Sequence, residues 1–246
     1  CPMPKLEPYS RKLPYSYALG LYPSLSLIDR RPELAQRLLL APEGLSNDGV
    51  EKLRARCREL DIREEIAERV LRRESRKDNC YAAVVFEKRE DDPDPARNHA
   101  VLCQISDAGN LGTALRSLIA FGFEDVALVR PCVDVYDPHA VRASMGALFH
   151  LRVRTFDRFG DYRALYPDRA LYPFMLDGAR PLSEVARGAV PPYSLIFGNE
   201  QSGLPPEFQS LGQSVFIPQS DSIDSLNLAV AVSVGAYAFS QRRNPS

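Results

Sequence analysis

The sequence predicts an α/β protein in which a mostly parallel sheet, covered by helices on both faces, follows a smaller α/β domain. Three observations carry this. Short apolar runs alternate with helical patterns from residue 100 onward, as crossover units of a parallel sheet require. Those runs, such as AVLCQIS, VALVRP and YSLIFG, are apolar enough to be buried on both faces. The passage EKREDDPDPARNHA (87–100) is charged, holds two prolines and lacks periodicity, so it reads as a linker. The expected division is a small α/β domain at 1–90, a linker at 91–99 and a second domain at 100–246.

In the first domain, LAQRLLLAP (34–42) fits either a strand or a helix. NDGVEKLRARCREL (47–60) carries Val50, Leu53, Cys57 and Leu60 at helical spacing, with Asn47 or Asp48 as cap. A second helix is expected over IREEIAERVLRRES (62–75) and a strand over CYAAVVFEK (80–88). The run RVLRRESRK (69–77) sets five basic residues against one acid. In the second domain, strands are expected at 100–106, 126–131, 150–156, 171–176, 193–198 and 214–219. NLGTALRSLIAFGF forms a helix ending at Gly122, and the last helix begins near Ser225.

Composition narrows the function. Apolar content of 45% and charged content of 26% suit a globular protein. The net charge of −1 argues against bulk electrostatic binding of nucleic acid and leaves room only for a local patch. No apolar run reaches the ~18–20 residues of a membrane span, and the start lacks the apolar core of a signal peptide. Five scattered cysteines (Cys1, Cys57, Cys80, Cys103, Cys132) form no CxxC pair, which fits free thiols and a cytoplasmic location. His99, His139 and His150 lie far apart, so no metal site is expected.

Ligands of parallel sheets bind at the carboxyl ends of the strands, so the loops there are the informative ones. SDAGNLGTALRS (106–117) passes from strand through a glycine turn to helix, the form of a phosphate-binding corner. It lacks the first glycine of GxGxxG, because Asp107 stands there, and the next strand ends at Arg130 instead of an acid; a dinucleotide site is therefore a weak reading. Asn110 reads as a helix cap or a functional amide, and Arg116 as a solvated helix residue or a functional cation. IFGNEQSGLPPEF (196–208) places Glu200 between Gly198 and Gly203, suiting either close backbone approach to a ligand or a plain turn. In FIPQSDSIDSLNLAV (216–230), Asp224 or Ser225 reads first as an N-cap. DPHAVRASMGALFH (137–150) has small residues that permit close backbone contact, and its Arg142 faces phosphate or solvent.

Taken in order, NLGTALR (110–116), IFGNEQSGL (196–204) and IPQSDSIDSLNLAVAV (217–232) resemble the motifs of the SpoU-type, or TrmH-like, RNA ribose 2′-O-methyltransferases of the SPOUT superfamily. VRASMGALFHLRV (141–153) is also similar. The resemblance implies a SPOUT-type α/β domain with a C-terminal trefoil knot, S-adenosylmethionine as cofactor, an RNA substrate and a homodimer. It makes Asn110, Arg116, Glu200, Ser225 and Asn227 the catalytic set. It gives cofactor contacts to Gly198, Asn199, Ile217, Ser225, Leu226 and Asn227.

Arg116 is the residue the resemblance assigns to activating the ribose hydroxyl. A guanidinium is almost always protonated. Either the site favours the neutral form, with a substrate phosphate as relay, or Arg116 orients the phosphate and stabilises the developing alkoxide. A sulfonium leaves readily, so no metal is required. Gln201 stands where glycine is common, and FMLDGARP lacks a frequent threonine. The first domain resembles loosely a small ribosomal-protein-like RNA-binding domain, without its usual Gln-Gly pair. Arg72, Arg73, Arg76, Lys77 and Arg142 are the RNA-contact candidates. Ribosomal RNA is favoured over transfer RNA; a catalytically inactive RNA-binding or assembly factor and an oxidoreductase are the rival functions.

Overall fold

The structure is a computed structural model describing residues 6–77, 79–220, 222 and 225–241. It divides into two compact units, Cys1–Arg89 with Asp134–His150, and Glu90–Val133 with Leu151–Ser246.

The first unit runs β1 (Tyr15–Leu19), α1 (Leu21–Arg30), β2 (Ala35–Leu40), α2 (Asp48–Glu59), β3 (Glu64–Ile66), α3 (Glu68–Ser75) and β4 (Ala82–Glu87). Its sheet has the order β1-β4-β2-β3; β4 is antiparallel to β1 and β2, and β3 is parallel to β2. The ambiguous run 34–42 is strand β2, because it pairs on both sides and buries Leu38, Leu39 and Leu40 in the core. Asn47 caps α2, accepting from the amides of Gly49 and Val50 at 2.9 and 3.2 Å.

The helix expected over 62–75 is corrected: only Glu68–Ser75 is helical, and Glu64–Ile66 forms an edge strand. Leu38, Leu39 and Leu40 recruit that short segment by pairing, which overrides its local helix propensity. Helix α1 had no sequence signal, since Pro23 reads as a breaker. Pro23 lies in the first turn, where the missing N–H has no intrahelical partner to lose.

The second unit opens with β5 (His99–Cys103), α4 (Ala108–Ala120) and β6 (Asp125–Val129). The chain then contributes 134–150, with α5 (Pro138–Ala143), to the first unit. The Ser16 hydroxyl donates to the carbonyl of Tyr136, and that of Ser26 to the carbonyl of Gly146 at 2.8 Å. Gly146 has φ +87, and a Cβ there would lie 2.4 Å from Cβ of Ser26, so the small residues do serve close contact. By these contacts 134–150 groups with the first unit, although the sequence division set it in the second domain.

The second unit continues through β7 (Arg152–Phe156), α6 (Phe159–Leu165), β8 (Ala170–Pro173), β9 (Arg180–Pro181), α7 (Leu182–Gly188), β10 (Tyr193–Phe197), β11 (Val215–Phe216) and α8 (Leu228–Ser240). Helices α6 and α7, of seven residues each, are too short to show two apolar periods in sequence. The main sheet has the order β7-β6-β5-β10-β8 with every pairing parallel. All residues of β5, β6 and β10 are buried, which is why these strands read as unbroken apolar runs. The chain moves outward from β5 to β7, then returns to build β8 and β10 on the other side of β5. This reversal opens a crevice beyond the carboxyl ends of β5 and β10.

Helices α4 and α8 lie side by side and point the same way. Asn110 meets Asn227, Ser117 meets Ser233 through hydroxyls 2.7 Å apart, and the ring of Phe121 meets Tyr237 edge-on with centroids 5.6 Å apart. Both helix N-termini therefore face the crevice.

Candidate active site

Because β5 and β10 are adjacent and parallel, the loops that follow them meet. Glu200, three residues beyond β10, reaches back to the loop after β5. Its Oε2 accepts from the amide of Ser106 at 3.2 Å and from the Ser106 hydroxyl at 3.1 Å; its Oε1 accepts from the amide of Asp107 at 3.2 Å. Partial burial pushes the Glu200 carboxyl up, but the hydrogen bonds it accepts from its own backbone, Ser106 and Asp107 outweigh this and hold it below the usual carboxylate range.

From Glu200 a chain of amides crosses to α8. Asn110 Nδ2 donates to Glu200 Oε1 at 3.5 Å, and Asn227 Nδ2 donates to Asn110 Oδ1 at 3.0 Å. Asn227 Oδ1 accepts from the amides of Ala229 and Val230 at 2.9 and 3.4 Å, so Asn227 is the N-cap of α8. The cap expected at Ser225 is thereby corrected; the other candidate, Asp224, lies outside the described residues. Asn110 is likewise no cap. Asp107 caps α4, its Oδ1 accepting from the Asn110 amide at 2.6 Å, which leaves the Asn110 side chain free to bridge.

The loop after β10 folds back as a tight hairpin. Asn199 and Gly203 exchange backbone hydrogen bonds of 3.1 and 3.0 Å, with Gly203 at φ +68. Asn199 Oδ1 accepts from the amides of Gln201 and Ser202, while its Nδ2 donates to the carbonyl of Gln104 at 2.7 Å. Gln104 itself holds φ +58, a left-handed conformation that L side chains rarely adopt. A Cβ on Gly198 would come within 2.2–2.4 Å of the Gly203–Leu204 backbone, so that position admits only glycine without rearrangement.

This hairpin forms one wall of a cleft of about 470 Å³. Phe174 and Phe197, stacked at 4.3 Å, line it with Leu204, Val215, Ile217, Leu226 and Leu228; Asn199, Glu200 and Ser225 supply polar groups. Of the sequence candidates, Gly198, Asn199, Glu200, Ile217, Ser225 and Leu226 line the cleft. Asn110 and Asn227 join it through Glu200. Ser225 is exposed and makes no side-chain hydrogen bond among the described residues. Arg116 is exposed on α4 and has no ion-pair partner among the described residues; no bond ties it to the amide chain. Ser106, Gln104 and Phe174 were not singled out from sequence. Their neighbours in motif loops were the only available signal.

The basic candidates lie in the first unit. Arg72 is paired with Glu68 at 2.7 Å and Arg73 with Glu74 at 2.6 Å. Arg76 and Lys77 are exposed without an ion pair among the described residues, and Arg142 is half-buried on α5. Among the described residues, no group of three or more His, Cys, Asp or Glu could hold a metal ion, and no helix is long and apolar enough to cross a membrane.

A parallel α/β unit whose strand-end crevice is bordered by three linked loops belongs to the class of folds that bind ligands at the carboxyl ends of their strands, and comparison with known proteins gives its family. Residues 97–237 match the SpoU rRNA Methylase family, and the chain belongs to that family. The structure of an AdoMet-bound rRNA methyltransferase from Sinorhizobium meliloti is similar over 95% of this chain and 89% of its own, with TM-score 0.78 and 26% identity. A Synechocystis protein described as an uncharacterized tRNA/rRNA methyltransferase is 32% identical over 65% of this chain and 59% of its own. A 23S rRNA (guanosine(2553)-2′-O)-methyltransferase of Bacillus subtilis is 27% identical over 58% and 57% respectively. The chain thus spans less than two thirds of the length of these two relatives.

Proposed function

We propose that the protein methylates ribose 2′-hydroxyls of RNA with S-adenosylmethionine, and that ribosomal RNA is its substrate in preference to transfer RNA. The observation that carries this is the bonded chain Glu200–Asn110–Asn227, which draws the three motif loops together at the mouth of the cleft. The Sinorhizobium relative binds AdoMet, and the Bacillus relative acts on 23S rRNA.

The cleft fits the cofactor by its chemistry. Its aromatic and aliphatic walls suit an adenine ring, the Glu200 carboxylate suits a cation nearby, and the Gly198–Gly203 hairpin presents backbone where side chains would intrude. When bound, the cofactor supplies an electrophilic methyl group on a sulfonium. Gly198, Asn199, Ile217 and Leu226 would hold it. Ser225 and the amide chain orient the ribose, and Arg116, which pairs with no carboxylate among the described residues, meets an RNA phosphate and stabilises charge growing on the 2′-oxygen. The oxygen–methyl bond would form as the sulfur–methyl bond breaks, and the hydroxyl proton would pass to the RNA phosphate that Arg116 holds.

Arg76, Lys77 and Arg142, which no ion pair occupies among the described residues, are the side chains we assign to RNA backbone contact; Arg72 and Arg73 are partly engaged by acids. We assign a homodimer because α8 carries no charged side chain over Leu228–Ser240 yet exposes Val230 and Tyr237. The buried free thiols of Cys57, Cys80 and Cys103 support a cytoplasmic location.

Transfer of tritiated methyl from S-adenosylmethionine to unmodified ribosomal RNA and to transfer RNA, assayed separately, tests the reading. Incorporation into ribosomal RNA at a ribose supports it. Incorporation into transfer RNA alone overturns the substrate, and cofactor binding without incorporation into either overturns the activity.

A further inference from the structure

We infer that Ser106 is a positioning residue of the methyl-transfer site, its hydroxyl holding Glu200 as the ionised acceptor to which Asn110 is tied. The inference rests on the methyltransferase reading above.

The reasoning is one of hydrogen-bond polarity. An ionised carboxylate only accepts, so Asn110 must turn its NH₂ toward Glu200 Oε1. Its carbonyl oxygen then faces Asn227, which must answer with its own NH₂. That leaves Asn227 Oδ1 for the first amides of α8, where an acceptor is required. Every link has one permitted direction, provided Glu200 stays an acceptor. A protonated Glu200 would present an O–H at one oxygen and weaken its acceptance from Asn110, while the cap of α8 still orients Asn227, so the link from Asn110 to Glu200 is the one that depends on the carboxylate.

Besides Asn110, four donors keep Glu200 an acceptor: the amides of Ser106 and Asp107, the hydroxyl of Ser106 and Nδ2 of Asn199, which reaches Oε2 at 3.3 Å. Any residue supplies an amide, so two of these are choices of side chain, and Asn199 Nδ2 is held more closely by the carbonyl of Gln104 at 2.7 Å, whereas the Ser106 hydroxyl donates to Glu200 at 3.1 Å. The Asp107 side chain is already engaged in capping α4. Ser106 reaches Glu200 at 3.1 Å across 94 residues of chain because β5 and β10 are sheet neighbours.

The test compares Ser106→Ala and Ser106→Thr in the full chain with two readouts. The first is the carboxyl ¹³C titration of Glu200 in glutamate-labelled protein, which needs no substrate. The second is steady-state methyl transfer across pH. In Ser106→Ala the Glu200 titration and the acid limb of the rate profile are both expected to move to higher pH. Its kcat is expected to fall about three- to tenfold with KM for RNA within about twofold, the pattern of lost orientation rather than lost binding. Ser106→Thr, which keeps the hydroxyl, is expected to restore all of these. An unchanged Glu200 titration in Ser106→Ala, or a threonine variant no better than alanine, overturns the inference. Absence of methyl transfer by the unaltered chain overturns the reaction reading instead, and the titration still decides whether Ser106 holds Glu200.

Discussion

Asn227 donates to Asn110 at 3.0 Å across 117 residues of chain, while its other side-chain atom caps the helix that follows it. One amide thus anchors α8 and completes the polar chain at the cleft. The two tasks use different atoms, Nδ2 for the bridge and Oδ1 for the cap, so substitution can separate them. Asn227→Ser keeps a good N-cap and loses the bridge. We expect its unfolding free energy to stay within about 0.5 kcal/mol of the parent, and methyl transfer to fall at least about tenfold. Asn227→Ala should add a stability loss of about 1 kcal/mol. Urea denaturation beside initial rates checks both.

Ser225 is the converse case. It looks like a helix cap in sequence, yet it caps nothing and sits exposed at the cleft. Ser225→Ala is therefore expected to leave the thermal midpoint within about 1 °C, as surface substitutions do, and to lower methyl transfer. A fall in folded protein that matches the fall in activity would return Ser225 to a structural role.

Arg116 touches no carboxylate among the described residues, so removing it should cost the fold nothing beyond about 0.5 kcal/mol. If it stabilises charge at the ribose oxygen, Arg116→Ala should lower kcat by about 10²-fold or more, the scale of losing one preorganised electrostatic partner. Cofactor affinity by calorimetry should stay within about twofold. Arg116→Lys keeps the charge but not the fork, and is expected to recover only part of the rate.

What the sequence disclosed follows from what is local. The strands β5, β6 and β10 were legible because burial on both faces leaves an unbroken apolar run. Helix α4 was legible from its periodicity, and the motif residues from their spacing. Helix α1 was hidden by Pro23, β3 by its helix-favouring glutamates, and α6 and α7 by their length. The capping assignments at Asn110 and Ser225 were mistaken for one reason: Asp107 and Asn227, the actual caps, are each a short step away and equally suitable by type. The bridge from Glu200 to Ser106 was out of reach, since strand adjacency across 94 residues leaves no local mark.

His99 tests the opposite end of the sheet. It is buried at the start of β5, with Nδ1 2.9 Å from the Tyr162 hydroxyl and Nε2 2.8 Å from the carbonyl of Asp94. Burial, reinforced by the charge of Arg169, pushes its pKa down to about 4. The unfolded value is about 6.5. Above pH 6.5 both states are neutral and the contribution to stability is complete. As pH falls toward 4 only the unfolded chain takes the proton, and stability is lost at up to about 1.4 kcal/mol per pH unit. Urea midpoints between pH 7 and pH 4 should therefore fall more steeply for the parent than for His99→Gln. Parallel slopes would show that His99 is not held neutral.

Gly198 gives the sharpest steric test of the cleft. A methyl group there meets the carbon and oxygen of Gly203 and the nitrogen of Leu204 at 2.2–2.4 Å, all of them backbone atoms that cannot rotate away. The hairpin can admit it only by opening the Asn199–Gly203 pair, whose hydrogen bonds hold Asn199 and Glu200 in place. Overpacking of this kind costs about 1–3 kcal/mol, which a folded domain survives. Gly198→Ala should consequently retain its far-ultraviolet circular dichroism with a lowered thermal midpoint. It should bind S-adenosylmethionine at least about tenfold more weakly. Loss of stability with undiminished cofactor affinity would place the binding surface away from this hairpin.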